Sequence, residues 1–264
     1  DDNEPTYHFY FASNGKKTVS TEKTIGNVKY TFDDRGVAQD SWVHNSDKGT
    51  WKYYGDEEEP KLHTGWFQAV PSKELNSNDH ENGTTHWYYA NSKGEITIPT
   101  ADGEVGVAKT IDGKSYLFNE DGEMLTGLRI LTYDGSKITN ISSEVDSADT
   151  VKNMNSDTMK LVYFESNGAA KTGTTTITLD GTSYTFSFKS NGSPRGVGET
   201  GISDGYIYQN GLRLTADEDT KYGVVTYKNE SYVVNEKGSI QKNKKNLKDA
   251  DETYYCTNAK GILL

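Results

Sequence analysis

The chain has 264 residues and a net charge of −11, from 39 acidic and 28 basic side chains, and only 33% of its residues are hydrophobic. That acidity argues against a nucleic-acid footprint, no run approaches the roughly 18 apolar residues of a membrane span, and the single cysteine, Cys256, excludes a disulfide framework or a cysteine-based zinc site. Aromatics make up 11% of the chain (18 Tyr, 8 Phe, 4 Trp), unlike a disordered sequence. The chain is therefore expected to fold around scattered rings rather than one thick aliphatic core. It opens at Asp1 without a Met or a signal sequence, which reads as a processed product.

In chain order, short aromatic runs recur throughout. They are Tyr10-Phe11, Tyr30-Thr31-Phe32, Tyr53-Tyr54, Tyr88-Tyr89 and Tyr116-Leu117-Phe118, then Tyr163-Phe164, Tyr184-Thr185-Phe186, Tyr206-Ile207-Tyr208, Tyr232-Val233-Val234 and Tyr254-Tyr255. From Tyr10 to Tyr254 the markers are separated by 20, 23, 35, 28, 47, 21, 24, 24 and 22 residues. Such a period marks a repeat architecture. Many runs are preceded by a two-residue turn (Gly26-Asn27, Asp112-Gly113, Asp180-Gly181, Asp204-Gly205) and followed within a few residues by a glycine. Asp-Gly and Asn-Gly favour the mirror-image turns that match strand twist. Each unit thus reads as strand, tight turn, aromatic strand and glycine loop. Residues two apart, such as Tyr30/Phe32 and Tyr116/Phe118, project from one face. No window shows helical periodicity. The expected fold is all-β: an elongated β-hairpin solenoid of about ten units spanning 1–264 as a single array, each hairpin burying its rings against the next.

Two polar segments, 71–83 and 134–158, interrupt the period and read as extended hairpin loops. Residues 240–252 read as a charged strand or loop.

Thr64-Gly65-Trp66, followed by His86-Trp87-Tyr88-Tyr89-Ala-Asn-Ser-Lys-Gly94, resembles the Gly-Trp…Trp-Tyr-Tyr…Gly signature of choline-binding and related cell-wall-binding repeats. The stretch from Gly106 through Asp112-Gly113, Tyr116-Leu-Phe118 and Asn119-Glu-Asp-Gly122 to Gly127 is similar to glucan-binding and clostridial-toxin repeats. The resemblance implies a non-catalytic module, secreted or on a Gram-positive-type cell surface. It implies attachment to choline, teichoic acid or wall polysaccharide, with no cofactor; the loss of Trp from most repeats and the two long polar loops leave a host glycan or protein as the other partner. A quaternary ammonium is held by aromatic faces, each worth about 0.5–2 kcal/mol. The family box takes two Trp from one hairpin and an aromatic from the next.

All four Trp lie in the repeats at 41–94, whose hairpins end in Tyr53-Tyr54 and Tyr88-Tyr89. One candidate box joins Trp42 and Trp51 with Trp66 or Tyr88; a second joins Trp66 and Trp87 with Tyr116. The other reading makes these rings stacking core, and the protein a structural or adhesive spacer. Elsewhere the Trp positions hold Lys114, Leu128, Thr174 and Ile202.

Other signals are weak. Gly196-Val-Gly-Glu-Thr-Gly201 lacks the following helix of a dinucleotide site. His80 and His86, six apart across a loop, do not make a metal motif, and no acidic run has calcium-loop spacing. No nucleophile–base pair is legible, so no catalytic residue is expected.

Overall fold

The computed structural model describes residues 6–191 and 195–264. The chain folds as two compact units: Asp1–Lys109 with Leu117–Leu125, and Thr110–Tyr116 with Thr126–Leu264.

The first unit holds β1 (Thr21–Ile25), β2 (Val28–Phe32), β3 (Trp42–Asn45), β4 (Thr50–Tyr53), β5 (Gly65–Ala69), helix α1 (Ser77–Asn82) and β6 (His86–Ala90). The strands pair antiparallel as β1–β2, β3–β4 and β5–β6. The division falls within the next hairpin, β7 (Gly106–Ile111) and β8 (Lys114–Asn119). The second unit contains β9 (Gly127–Asp134), β10 (Lys137–Ile141), helix α2 (Ala148–Asn153), β11 (Met159–Phe164), β12 (Gly173–Leu179) and β13 (Thr182–Phe188). It continues with β14 (Gly201–Ser203), β15 (Tyr206–Gln209), β16 (Leu212–Arg213), β17 (Tyr222–Tyr227), β18 (Glu230–Asn235), β19 (Leu247–Lys248) and β20 (Tyr254–Tyr255). There β9 pairs with both β10 and β11, β12 to β16 form one sheet in the order 12-13-16-15-14, and the last four strands make two hairpins.

The turn chemistry acts as the sequence predicts. Gly26-Asn27, Asp112-Gly113, Asp180-Gly181 and Asp204-Gly205 all have positive φ at both positions, as a mirror-image two-residue turn requires. After the aromatic strand comes a second recurring device. An Asn or Asp side chain accepts N–H bonds from the residues two and four positions on, as Asn91 does from Lys93 and Glu95 and Asn119 from Asp121 and Glu123. Asp33, Asn235 and Asn258 repeat this. The chain then bridges back six residues along: Phe32 to Ala38, Ala90 to Ile96, Phe118 to Met124, Phe164 to Ala170 and Val234 to Ile240.

That bridging residue also ties each loop to an earlier hairpin. In the first unit the Ile96 N–H donates to the Trp51 carbonyl at 2.9 Å and Met124 to Trp87 at 2.8 Å. In the second, Ala170 donates to Ser115 at 2.8 Å and Ile240 to Gly205 at 2.9 Å.

The cores are local. In the first unit Trp51, Phe67, Ala69, Tyr88, Ala90 and Ile96 form one cluster. In the second, Leu128, Leu161, Phe186, Phe188 and Leu212 pack with Val145, Ala148 and Val151. The latter three correct the expectation that 134–158 is a plain loop. It carries β10 and α2, because Ile138, Val145, Ala148 and Val151 are spaced to bury on the core side. Segment 71–83 likewise contains α1, capped by the Asn76 side chain, which accepts the Asp79 N–H, and ended by Gly83 in the left-handed region. Six residues are too few to show a helical period. The Gly196–Gly201 segment leads into strand β14, not a helix.

Candidate functional site

In the β3–β4 hairpin, Trp42 faces Tyr53 and His44 faces Trp51. Directly opposed residues share a face, so all four rings lie on one side. His44 stacks on Trp51 with centroids 4.4 Å apart and planes 10° from parallel. Trp42 packs against Trp51 at 6.5 Å and Tyr53 at 5.0 Å, and its indole N–H donates to the Val70 carbonyl at 2.7 Å.

The β5–β6 hairpin has two aromatic faces, because alternate residues point opposite ways. Phe67 opposes Tyr88 on one; Trp66 opposes Tyr89, and Gln68 opposes Trp87, on the other. The Phe67/Tyr88 face meets the first hairpin's rings: Tyr88 lies 4.9 Å from Trp42, edge-on, and Phe67 stacks on Tyr53 at 5.2 Å and 4°. The first candidate box is therefore brought together with Tyr88, not Trp66, as its third ring. It is filled: Tyr88 is 0% exposed and Trp51 8%. Only Trp42 and Tyr53 keep partial exposure, beside His63. Burial first, then the nearby Lys61, holds the His63 pKa below its ordinary 6.5.

The opposite face is open. Trp66 packs on Tyr89 at 5.1 Å, edge-on, and on Phe118 at 5.8 Å. Trp87 is 43% exposed. Lys109 places its ammonium 5.8 Å from the Tyr89 centroid, so this face already attracts a cation. Tyr116, the third member of the second candidate box, belongs to the second unit and is half-buried there.

Lysines cover other outward rings: Lys23 lies 4.8 Å from Tyr10, Lys221 5.5 Å from Tyr222, Lys228 5.4 Å from Tyr227 and Lys248 5.8 Å from Tyr254. The Arg213 guanidinium is 3.8 Å from Tyr206. Two of these pairs, Lys221/Tyr222 and Lys228/Tyr227, are neighbours in the chain; the other three join residues six to thirteen positions apart and escape sequence reading.

A polar cluster lies at the end of the Phe67/Tyr88 face. His86 begins β6, and its Nε2 is 2.8 Å from Asp79 Oδ2 on α1 and 3.6 Å from Glu123 Oε1 in the turn after β8. The Asn76 amide donates to both carboxylates at 3.1 Å, and Asn119 donates to Glu123 at 2.9 Å. His80, which the sequence places near His86, turns away and bonds the Pro71 carbonyl at 2.8 Å. Asp121 next to Glu123 is pushed up to about 6, chiefly by burial and then by the charges of Glu123, Glu120 and Asp79.

No protein-family model matches the chain, and no curated protein matches it. Solved structures do. A crystal structure of choline-binding protein F from Streptococcus pneumoniae aligns over 97% of this chain and 74% of its own, with a TM-score of 0.53 and 18% identity. CbpF in complex with ipratropium aligns over 97% and 76%, with a TM-score of 0.54 and 17% identity. The modular autolysin LytC from the same species covers 98% of this chain and 52% of its own, at a TM-score of 0.41 and 12% identity.

Proposed function

We propose that this chain, which folds as choline-binding protein F does, is a non-catalytic extracellular module that attaches to choline-bearing teichoic acid or another cell-wall polymer. Its hairpins stack one on the next within each unit, and binding belongs to the open aromatic face of β5–β6. The observation that carries this reading is Trp87: it is 43% exposed, on the same hairpin face as Trp66 and Tyr89. An exposed Trp backed by two half-buried rings on the same face presents a π-surface to a quaternary ammonium or a sugar ring. Trp51 and Tyr88, enclosed by their neighbours, serve instead to hold the two hairpins together. Trp42 and Tyr53 form the rim of that stack.

The test is a fluorescence titration with choline, purified teichoic acid and wall polysaccharide. Saturable quenching that Trp87→Ala removes, with the fold retained by circular dichroism, supports attachment through this face. Quenching that survives Trp87→Ala, or no response to any of the three, refutes it.

A second reading is favoured by the filled Trp42–Trp51–Tyr88 stack and by the lysines over the outward tyrosines. It makes the chain a spacer that contacts a host or surface protein. Retention on purified walls against capture from host extracts separates the two.

A further inference from the structure

The cluster at the end of the β5–β6 core face has a composition that the stacked hairpins do not need. Asp79 comes from α1, His86 from β6 and Glu123 from the turn after β8, and one ligating atom of each lies within 4.8 Å of the others. Glu123 is 6% exposed, and the side chains of His86 and Asp79 are 25% and 23% exposed. Two carboxylates and an imidazole held this close in a half-dry site offer three ligating atoms to one cation. Ligands on a tetrahedral zinc at about 2.0–2.2 Å stand roughly 3.4 Å apart. The 2.8 Å and 3.6 Å separations from His86 Nε2 bracket that spacing.

A second observation points the same way. Tyr88 is 0% exposed, and its hydroxyl is buried without a hydrogen-bond partner. Tyr88 stands two residues after His86 on β6, so both project from one face. Its ring lies against the 119–123 turn: a Cβ built on Gly122 would be 3.8 Å from Tyr88 Cδ1. This unpartnered phenol oxygen thus belongs to a ring that shares a strand face with His86 and packs on the turn that carries Glu123.

We propose that Asp79, His86 and Glu123 bind a divalent transition-metal ion of the zinc class. An imidazole with carboxylates selects such ions over calcium or magnesium, which take oxygen ligands. The Asn119 amide holds the other Glu123 oxygen, Oε2, as second-layer groups do around metals, while the Asn76 amide donates to the same Asp79 Oδ2 and Glu123 Oε1 that face His86 and fixes their spacing. The ion would fasten the 71–83 segment to the turn after β8. The open Trp87 face lies on the other side of the hairpin, so this site is separate from the polymer-binding face.

The experiment is isothermal titration of the full chain, stripped with EDTA, with zinc chloride, alongside thermal melting in zinc and in EDTA. The expected result is one zinc per chain at micromolar or lower free zinc, with a rise in Tm. His86→Gln abolishes both effects. Glu123→Gln, nearly isosteric and checked for its fold by circular dichroism because both Glu123 oxygens accept amide N–H bonds, weakens affinity at least tenfold. His80→Gln leaves both unchanged. Saturation only at millimolar zinc, no rise in Tm, or binding that survives His86→Gln and Glu123→Gln overturns the proposal. Should His86→Gln fail to fold, Glu123→Gln alone decides.

Discussion

Replacing Tyr88 by Phe removes one oxygen from a side chain that is wholly enclosed and whose hydroxyl has no partner. A buried donor left unbonded costs about 1–3 kcal/mol. The void left by the oxygen, of order 10–15 Å³, costs back only about 0.3 kcal/mol at ~24 cal/mol per Å³. The ring contacts with Trp42 and Phe67 are kept. In EDTA the variant is therefore expected to be more stable by about 1–2 kcal/mol, which raises Tm by about 3–6 °C. Guanidinium unfolding followed by Trp fluorescence measures this in the right place, because Trp42, Trp51, Trp66 and Trp87 all lie in the first unit. A Phe variant less stable than wild type by about 1 kcal/mol in EDTA would refute the reasoning, because it would mean that the hydroxyl is bonded after all.

Three further outcomes follow from the packing. Trp51→Ala, at an 8% exposed position, should cost about 3–5 kcal/mol, whereas Trp87→Ala should cost under about 1 kcal/mol; denaturant midpoints compare them. Gly15 and Gly94 have the same backbone, φ +77 and +78, but a Cβ at Gly15 meets nothing within 4 Å and one at Gly94 runs into Leu62. Gly15→Ala should therefore cost about 1 kcal/mol and Gly94→Ala about 1–3 kcal/mol more, and equal costs would deny the contact between neighbouring repeats. His63 should titrate below 6.5 by NMR. Because the folded state resists that proton, the unfolded chain takes it up first. Stability should then fall as the pH drops from about 6.5 through the lower folded midpoint.

Much of the hairpin plan is legible in the residues that enforce it. Asp112-Gly113 and Asp180-Gly181 dictate turn type through backbone sterics alone, and the alternation in Trp66–Phe67–Gln68 fixes which ring meets which neighbour once the strand is recognised. Burial was less legible. Trp51 stands two residues before its aromatic pair and Trp87 directly before its own, so strand alternation turns them toward different faces, and which of those faces is covered by a neighbour shows only in the fold. The polar cluster was hidden for another reason. Its members stand at 79, 86 and 123, so Glu123 arrives from a later repeat, and its turn reads locally as an ordinary Asn-Glu-Asp-Gly loop. Pairing His86 with His80 by proximity in the chain misses the partner that the fold supplies. The short helices escaped because each buries at most two side chains, Ala148 and Val151 in α2 and none in α1.

The backbone bonds from Ile96 to Trp51 and from Met124 to Trp87 tie each loop to a hairpin only slightly earlier in the chain. Cohesion is thus handed along in short steps, as in a zip fastener rather than a keystone arch. Within the first unit, a nick or a lost hairpin should harm its two neighbours and leave more distant teeth engaged, so copies of such a hairpin can be gained or shed there without redesigning what remains.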